Sequence, residues 1–212
     1  MNKLLQSDFI GYLKSLNPNV RDVDIKDVRI EVITDTHFDI QDLKPTIKQK
    51  LGTGSAIYNN PNNKRIAIID YEDFLNKQPQ QPAYPSSQDI IKALELKKPD
   101  FIVYDLGTNS FFILNELSQS GNSNNKRNDA KLQLYDALKH FYKVTTIKTF
   151  IKSFPDKRCV FSNRNPVNSP DDIADSFEFI RKSLQLNPPE KLNFQPITKL
   201  GFELIETNII DV

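Results

Sequence analysis

The sequence predicts an α/β fold in which a mixed β-sheet is flanked by helices. The chain has 212 residues, enough for one large domain. Its composition, 38% hydrophobic and 26% charged, provides a normal core. Amphipathic helical patterns and β-rich apolar runs follow one another along the chain, with two β-rich runs bent around a short Gly- and Asn-containing loop. We therefore expect a single globular body.

The first third of the chain contains one predicted helix and two predicted strands. Residues 3 to 16 carry leucines, an isoleucine and a phenylalanine at helical spacing, and Asn17-Pro18 is a stop signal. The run 23–34 alternates apolar and polar residues, which predicts a half-buried strand. The run 65–74, RIAIIDYEDF, predicts a second strand.

The centre of the chain combines helices with a predicted hairpin. Ser86 is a plausible N-cap for a helix that runs to about Lys97. The runs FIVYD (101–105) and SFFILNEL (110–117) are β-rich, and the Gly and Asn between them accept positive φ angles. A helix from about Lys126 to Lys143 follows, with one apolar and one basic face.

The last part of the chain predicts a buried strand at 157–166, a helix at 171–184 and a terminal strand at 201–210. Cys159 is the only cysteine, so neither an intramolecular disulfide nor a cysteine-based zinc site can form, and we expect a buried thiol. No run of about eighteen apolar residues occurs. Membrane insertion and secretion are not indicated, and a cytoplasmic location is the default expectation.

Positive charge is concentrated in one segment, although the formal net charge is only +1. Between Lys126 and Arg164 there are ten Lys or Arg residues against three Asp residues. This asymmetry is compatible with a face turned toward a polyanion, although a solvated basic face is the commoner reason for it.

Two carboxylates flank the predicted hairpin. Pro99-Asp100 stands at the entry of its first strand, and Glu116-Leu117-Ser118 at the end of the second. With the basic helix and the buried strand that follow, this order resembles the core of the PD-(D/E)xK nuclease superfamily. The resemblance implies a restriction-endonuclease-like mixed β-sheet flanked by helices. It covers about residues 86–164 of a single domain (1–212), with elaborations at 1–85 and 165–212.

The resemblance implies a metal-dependent endonuclease that hydrolyses DNA phosphodiester bonds, of restriction or defence type. Asp100, Glu116 and the main-chain carbonyl of Leu117 would hold Mg²⁺ (or Mn²⁺), because hard cations prefer oxygen ligands. The metal would polarise the scissile phosphate and lower the pKa of a bound water. A homodimer is compatible with cutting both strands of a duplex, and DNA is the expected partner.

The helix after the hairpin supplies the remaining candidates. By the same resemblance, Gln133 corresponds to a glutamine that several branches of the superfamily carry on this helix. Its basic residues are expected to contact phosphates. The predicted nucleic-acid-binding residues are Arg127, Gln133, Lys139 and Lys143.

The signature departs from the superfamily at its third position, where Ser118 stands in place of lysine. A serine hydroxyl cannot stabilise developing charge as an ammonium does. Three explanations follow: Lys126 or Lys131 reaches the site as a relocated catalytic lysine; Ser118 or Gln119 orients the water without a charge; or the site is inactive. The last makes the chain a nuclease-like protein that binds nucleic acid or a protein partner.

Structural explanations compete with these functional ones. Pro99-Asp100 could simply turn the chain, and Glu116 could lie at an exposed strand end. An α/β assembly protein with no nucleic-acid role is a further alternative. Asp70 and Asp105 also end apolar runs; either could join a metal site or face water, and we expect both to face water. His37 and His140 lack the neighbours of a catalytic base, with His37 expected in a solvated loop and His140 near a helix C-terminus.

Overall fold

The computed structural model of the chain describes residues 1–42, 45–77, 86–118, 124–163 and 189–212. Among these, no helix is both long enough and apolar enough to cross a bilayer. The helices are α1 (Asn2–Leu4), α2 (Ile10–Leu16), α3 (Tyr71–Asn76), α4 (Ser87–Ala93), α5 (Asn124–Phe141), α6 (Thr145–Lys152) and α7 (Gln195–Thr198). A π-helical turn, Leu5–Phe9, joins α1 to α2, and a 3-10 turn covers Ile25–Asp27.

The strands form two sheets. In chain order they are β1 (Ile30–Ile33), β2 (His37–Ile40), β3 (Lys48–Gln49), β4 (Ala56–Asn59), β5 (Ile66–Asp70), β6 (Phe101–Asp105), β7 (Phe111–Ser118), β8 (Asp156–Asn163), β9 (Glu190–Lys191), β10 (Glu203–Glu206) and β11 (Ile209–Asp211). The large sheet has seven strands in the order β1-β5-β6-β7-β8-β10-β9. The small sheet has four, in the order β11-β4-β2-β3.

The centre of the large sheet is an antiparallel meander followed by a helical crossover. β5 pairs antiparallel with β6, and β6 pairs antiparallel with β7. The chain then passes through α5 and α6 before β8 joins β7 in parallel. Parallel strands need such a crossover, because the chain must return to the end of the sheet at which the first strand began. A short hairpin loop can only join antiparallel strands. The predicted mixed α/β sheet flanked by helices is confirmed.

The large sheet is buried on both faces, and alternate side chains of its strands belong to two different cores. Toward the helices point Ala67, Ile69, Ile102, Tyr104, Phe112 and Leu114, which pack with α1, α2, α5 and α6. Toward the small sheet point Ile66, Ile68, Phe101, Val103, Phe111 and Ile113. Double-sided burial explains why these strands read as continuous apolar runs rather than as alternating ones.

Four of the predicted elements end elsewhere than expected. The run 23–34 contains only one short strand, β1, preceded by the 3-10 turn. The run 65–74 is a strand only as far as Asp70, where α3 begins, because the Asp70 carboxylate accepts the N–H of Asp73 as an N-cap does. The helix after Ser86 ends at Ala93. The predicted terminal strand is two strands, β10 and β11, in different sheets, and the predicted helix at 171–184 lies outside the described residues.

Candidate metal centre

Asp100 and Glu116 lie side by side at one end of the meander. Phe101 of β6 faces Asn115 of β7, so the next pair outward is Asp100 and Glu116. Residues opposed in an antiparallel pair project from the same face of the sheet. The Leu117 N–H donates to the Asp100 carboxylate at 2.6 Å, and the Asp100 N–H donates toward the Glu116 carboxylate. The structure therefore brings together the two carboxylates that the sequence singled out.

Two further carboxylates join this pair, and the sequence analysis missed both. Carboxylate oxygens of Asp42, Glu72 and Asp100 all lie within 4.8 Å of one another. Glu72 is in the first turn of α3, which is held against Asp100 because the Tyr71 N–H donates to the Asp100 carbonyl at 2.8 Å. Asp42 follows β2 of the small sheet. We call Asp42, Glu72, Asp100 and Glu116 the acidic cluster.

Burial and mutual repulsion make the acidic cluster electrostatically costly. Burial raises the pKa of Asp100 well above its usual range, and the charges of Asp42 and Glu72 raise it further. The hydrogen bond from the Leu117 N–H lowers this pKa but does not outweigh burial. Burial also raises the pKa of Glu116 well above its usual range, with added contributions from Asp100 and Glu72. Like charges gathered in a poorly solvated site disfavour ionisation of each. A bound cation would reverse that preference, since it favours the ionised carboxylates.

Glu116 has an unsatisfied oxygen. Its side chain is 9% exposed, and its Oε2 atom has no hydrogen-bond partner among the residues that the structure describes. The Gln133 side chain also donates toward this carboxylate, and because Oε2 has no partner among these residues, the acceptor is Oε1. Buried polar atoms without a partner are rare in folded proteins and point to a missing ion, water or ligand. The expectation of an exposed strand end for Glu116 is wrong.

Two basic side chains touch the acidic cluster. The Lys98 Nζ lies 2.5 Å from Glu72 Oε1, and the Arg29 guanidinium lies 3.3 Å from Asp42 Oδ1. Arg29 also pairs with Asp70. The sequence analysis did not select Lys98, although it stands directly before Pro99-Asp100. Its position directly before Pro99-Asp100 was the feature of the sequence that could have identified it as a site residue.

Gln133 is the helix α5 residue that the structure places at the cluster. Besides its contact with Glu116, its Nε2 donates to the Lys98 carbonyl at 3.1 Å. Lys126 is seven residues earlier on the same helix, which is two turns and about 10 Å along the same helical face. Its side chain is exposed. Lys126 thus lies on the site's side of α5 but nearer its N-terminal end.

Lys131 and Arg127 face a different part of the sheet. Burial raises the pKa of Glu206, and the charges of Arg127 and Lys131 oppose that rise, which places both near Glu206. Glu206 and Glu116 each pair with Phe161 of β8, from opposite sides, so they are about 10 Å apart. Arg127 is bound by Glu206 at 2.5 Å and by Glu190 at 2.9 Å. These ion pairs tie α5 to the far edge of the sheet.

The other residues of the signature region take the following positions. Ser118 ends β7, half-buried, in register with Asn163 of β8, and Gln119 lies outside the described residues. Lys143 is exposed just after α5. Lys139 pairs with Asp136 at 2.6 Å, one turn back on the helix.

Asp70 and Asp105 do not face water, and those expectations are wrong. Asp70 is fully buried, caps α3 and pairs with Arg29. Asp105 is 1% exposed and accepts N–H groups of Gly107, Thr108 and Ser110. Both carboxylates accept N–H groups of the chain itself, because each begins a helix or turn whose free N–H groups need an acceptor.

The remaining titratable candidates are structural. His37 is half-buried at the start of β2, not in a solvated loop as expected. His140 lies in the last turn of α5 and hydrogen-bonds with the Tyr12 hydroxyl at 2.9 Å. Cys159 is fully buried, as expected, in the core under the helices.

Searches of protein-family models, of curated proteins and of solved structures found no significant match to this chain. The geometry of the acidic cluster is therefore the basis for a function.

Proposed function

We propose that the chain is a divalent-metal-dependent endonuclease that hydrolyses DNA phosphodiester bonds. The observation that carries the proposal is the acidic cluster, in which two buried carboxylates, Asp100 and Glu116, meet two half-buried ones, Asp42 and Glu72. The unpartnered Oε2 of Glu116 is the second, independent sign of an ion at this place. An order of strands and helix that resembles the PD-(D/E)xK core supports the choice of reaction.

The donor set fits a hard cation. Asp42, Glu72, Asp100 and Glu116 offer carboxylate oxygens only, which are the ligands that Mg²⁺ and Mn²⁺ accept, whereas zinc and copper sites use histidine or thiolate. The carbonyl of Leu117 stays a predicted further ligand. A bound ion would polarise the scissile phosphate and lower the pKa of a bound water.

The residues of the chain orient these groups. The N–H of Leu117 donates to one oxygen of Asp100, and the N–H of Asp100 donates toward the Glu116 carboxylate. Gln133 holds Glu116 and the Lys98 carbonyl from the α5 side. Such fixed ligands need little reorganisation when the ion and the phosphate enter.

DNA is the proposed substrate because the helix that carries Gln133 also carries exposed basic residues. Lys126 lies on the face of α5 that carries Gln133, and Lys143 is exposed at the other end of the helix. Lysines in such positions neutralise phosphates and make binding dependent on salt. A homodimer would present two such sites to the two strands of a duplex.

A second candidate function is a nuclease-like protein that binds nucleic acid without cleaving it. The observation that favours it is Ser118, half-buried at the position of the signature lysine. This candidate predicts salt-dependent DNA binding that is unchanged by Mn²⁺ and by loss of the Asp100 carboxylate.

The decisive experiment is cleavage of supercoiled and linear DNA with Mg²⁺ or Mn²⁺. The parent is compared with Asp100→Asn and Glu116→Gln, and with the exposed control Asp27→Asn, at equal folded concentration. The proposal expects cleavage by the parent and the control, none by the two site variants, and unchanged DNA binding by all four in Ca²⁺. DNA binding without cleavage by the parent would support the second candidate instead.

A further inference from the structure

We propose that Lys98 is a catalytic residue of this centre, with its ammonium directed at the scissile phosphate. The inference rests on the proposed function and adds to it the group that Ser118 cannot supply. It is drawn from the position of Lys98 and not from the order of residues in the signature.

The Lys98 ammonium is in direct contact with the acidic cluster. Its Nζ lies 2.5 Å from Glu72 Oε1 and 3.0 Å from Asn76 Oδ1. The carboxylate oxygens of Glu72 and Asp100 are themselves within 4.8 Å of each other. A cation in the cluster and the phosphate it binds would therefore have the ammonium as a close neighbour.

The side chain is also held in place before any substrate arrives. Lys98 is 16% exposed at the side chain, and its carbonyl accepts the Gln133 Nε2. Asp100, two residues on, is fixed by the Leu117 N–H. Lysine side chains lose much rotamer freedom when they are ordered, so a lysine that is already ordered stabilises a transition state at lower entropic cost.

The reaction explains what a fixed ammonium contributes. The oxygen of a water attacks phosphorus, the bond from phosphorus to the leaving oxygen breaks, and one proton of the water ends on that oxygen. The products are a phosphate monoester and an alcohol. Negative charge grows on the non-bridging and leaving oxygens meanwhile, and a hydrogen bond from an ammonium stabilises it.

A purely structural role for Lys98 gives a different expectation. The contacts with Glu72 and Asn76 tie the segment before β6 to helix α3, so their loss would lower stability. A salt bridge of this kind acts on the folded fraction and not on the rate constant of the folded enzyme. The two roles therefore separate when kcat is measured per folded molecule.

The test compares Lys98→Met and Lys98→Arg with the parent and with Lys97→Met, which removes the exposed neighbouring lysine. Single-turnover cleavage with Mn²⁺, Mn²⁺ affinity by calorimetry and melting temperature are measured on each. We expect Lys98→Met to lose about 100-fold in kcat with little change in KM. We also expect Mn²⁺ binding to be kept or tightened, because Glu72 loses a competing cation. Lys98→Arg recovers part of the rate.

Three outcomes decide the matter. Lys98→Met cleaving within about threefold of the parent overturns the inference while the proposed function stands. An equal loss in Lys97→Met also overturns it, since the effect is then one of general charge. A parent that binds Mn²⁺ but cleaves nothing overturns the proposed function itself, and with it the catalytic assignment of Lys98.

Discussion

Strand β6 has a buried aspartate at each end, and the two have opposite surroundings. Asp105 is 1% exposed and accepts N–H groups of Gly107, Thr108 and Ser110, as well as the hydroxyls of Thr108 and Ser110. Asp100 is 8% exposed, accepts the Leu117 N–H and faces other carboxylates. The Asp105 carboxylate is surrounded by hydrogen-bond donors, whereas the Asp100 carboxylate is surrounded by other carboxylates.

This difference separates a structural carboxylate from a functional one. Burial alone would raise the pKa of Asp105, but the donors of its turn outweigh burial and lower that pKa below its usual range. Burial raises the pKa of Asp100 and its neighbours add to the rise. A fold keeps such an unfavourable arrangement where it serves a function, and the function proposed above assigns to it the binding of a cation.

The largest expected effect comes from Asp100→Asn, which keeps the size of the side chain and removes its charge. We expect a loss of DNA cleavage of at least about 1000-fold, because the ion loses a ligand. The metal-free variant should be at least as stable as the parent, since a repelled buried charge is gone. Cleavage assays measure the loss of activity, and urea unfolding measures the stability of the metal-free variant. Strong destabilisation would show that Asp100 is a structural residue like Asp105.

Asp105→Ala should give the reverse result. Removing the acceptor of several hydrogen bonds to N–H and hydroxyl groups of the turn should cost about 1–3 kcal/mol in the free energy of unfolding. The rate of cleavage per folded molecule should not change. Urea unfolding measures the first quantity and cleavage below the melting temperature the second. A lowered rate in the folded variant would contradict the separation of the two ends.

The two ends should also respond to pH in opposite directions. The folded pKa of Asp100 is raised, so its contribution to stability is present below the unfolded value of about 4 and is lost as pH rises. The folded pKa of Asp105 is lowered, so its contribution is present above about pH 4 and is lost as pH falls through that value. Unfolding free energies of the parent are compared with those of Asp100→Asn and Asp105→Asn.

We expect the parent to lose stability relative to Asp100→Asn as the pH rises above about 4 without metal, and to regain it when Mn²⁺ is added. Relative to Asp105→Asn, the parent should lose stability only below about pH 5. Parallel pH curves for the parent and Asp100→Asn would contradict the electrostatic account.

The smallest expected effect concerns DNA binding by the basic helix. Lys126→Ala should weaken binding a few-fold and lower the slope of log Kd against log salt concentration by about 1. Lys26→Ala, which removes an exposed lysine outside the basic segment, is the control. Fluorescence anisotropy in Ca²⁺ measures both. Equal slopes for the parent and Lys126→Ala would remove Lys126 from the DNA-binding surface.

Local patterns in the sequence predicted the hairpin of β6 and β7, helix α5 and the pair Asp100 and Glu116, because both carboxylates lie at the ends of strong β-rich runs. Glu72 was missed because the apolar run before it suggested that the strand continued past Asp70. The N-cap spacing Asp70-x-x-Asp73 was the signal for a helix start. With that boundary, Glu72 would have been placed in a first helical turn.

Asp42 could not be placed from the sequence. It lies after a strand of the small sheet, 58 positions before Asp100, and only the packing of the small sheet on the large one brings the two together. Lys98 was overlooked for a different reason. The candidates for a relocated lysine, Lys126 and Lys131, follow Ser118 in the chain, whereas the contact with Glu72 is made by the residue before Pro99.

The central claim is that the Asp100 end of β6 binds a divalent cation, and calorimetric titration with Mn²⁺ tests it most directly. The titration compares the metal-free parent with Asp100→Asn, Glu116→Gln and Asp105→Asn. The account predicts saturable binding by the parent and by Asp105→Asn, weakened at least about tenfold in the two site variants. Equal binding by all four proteins, or no binding by the folded parent, would contradict it.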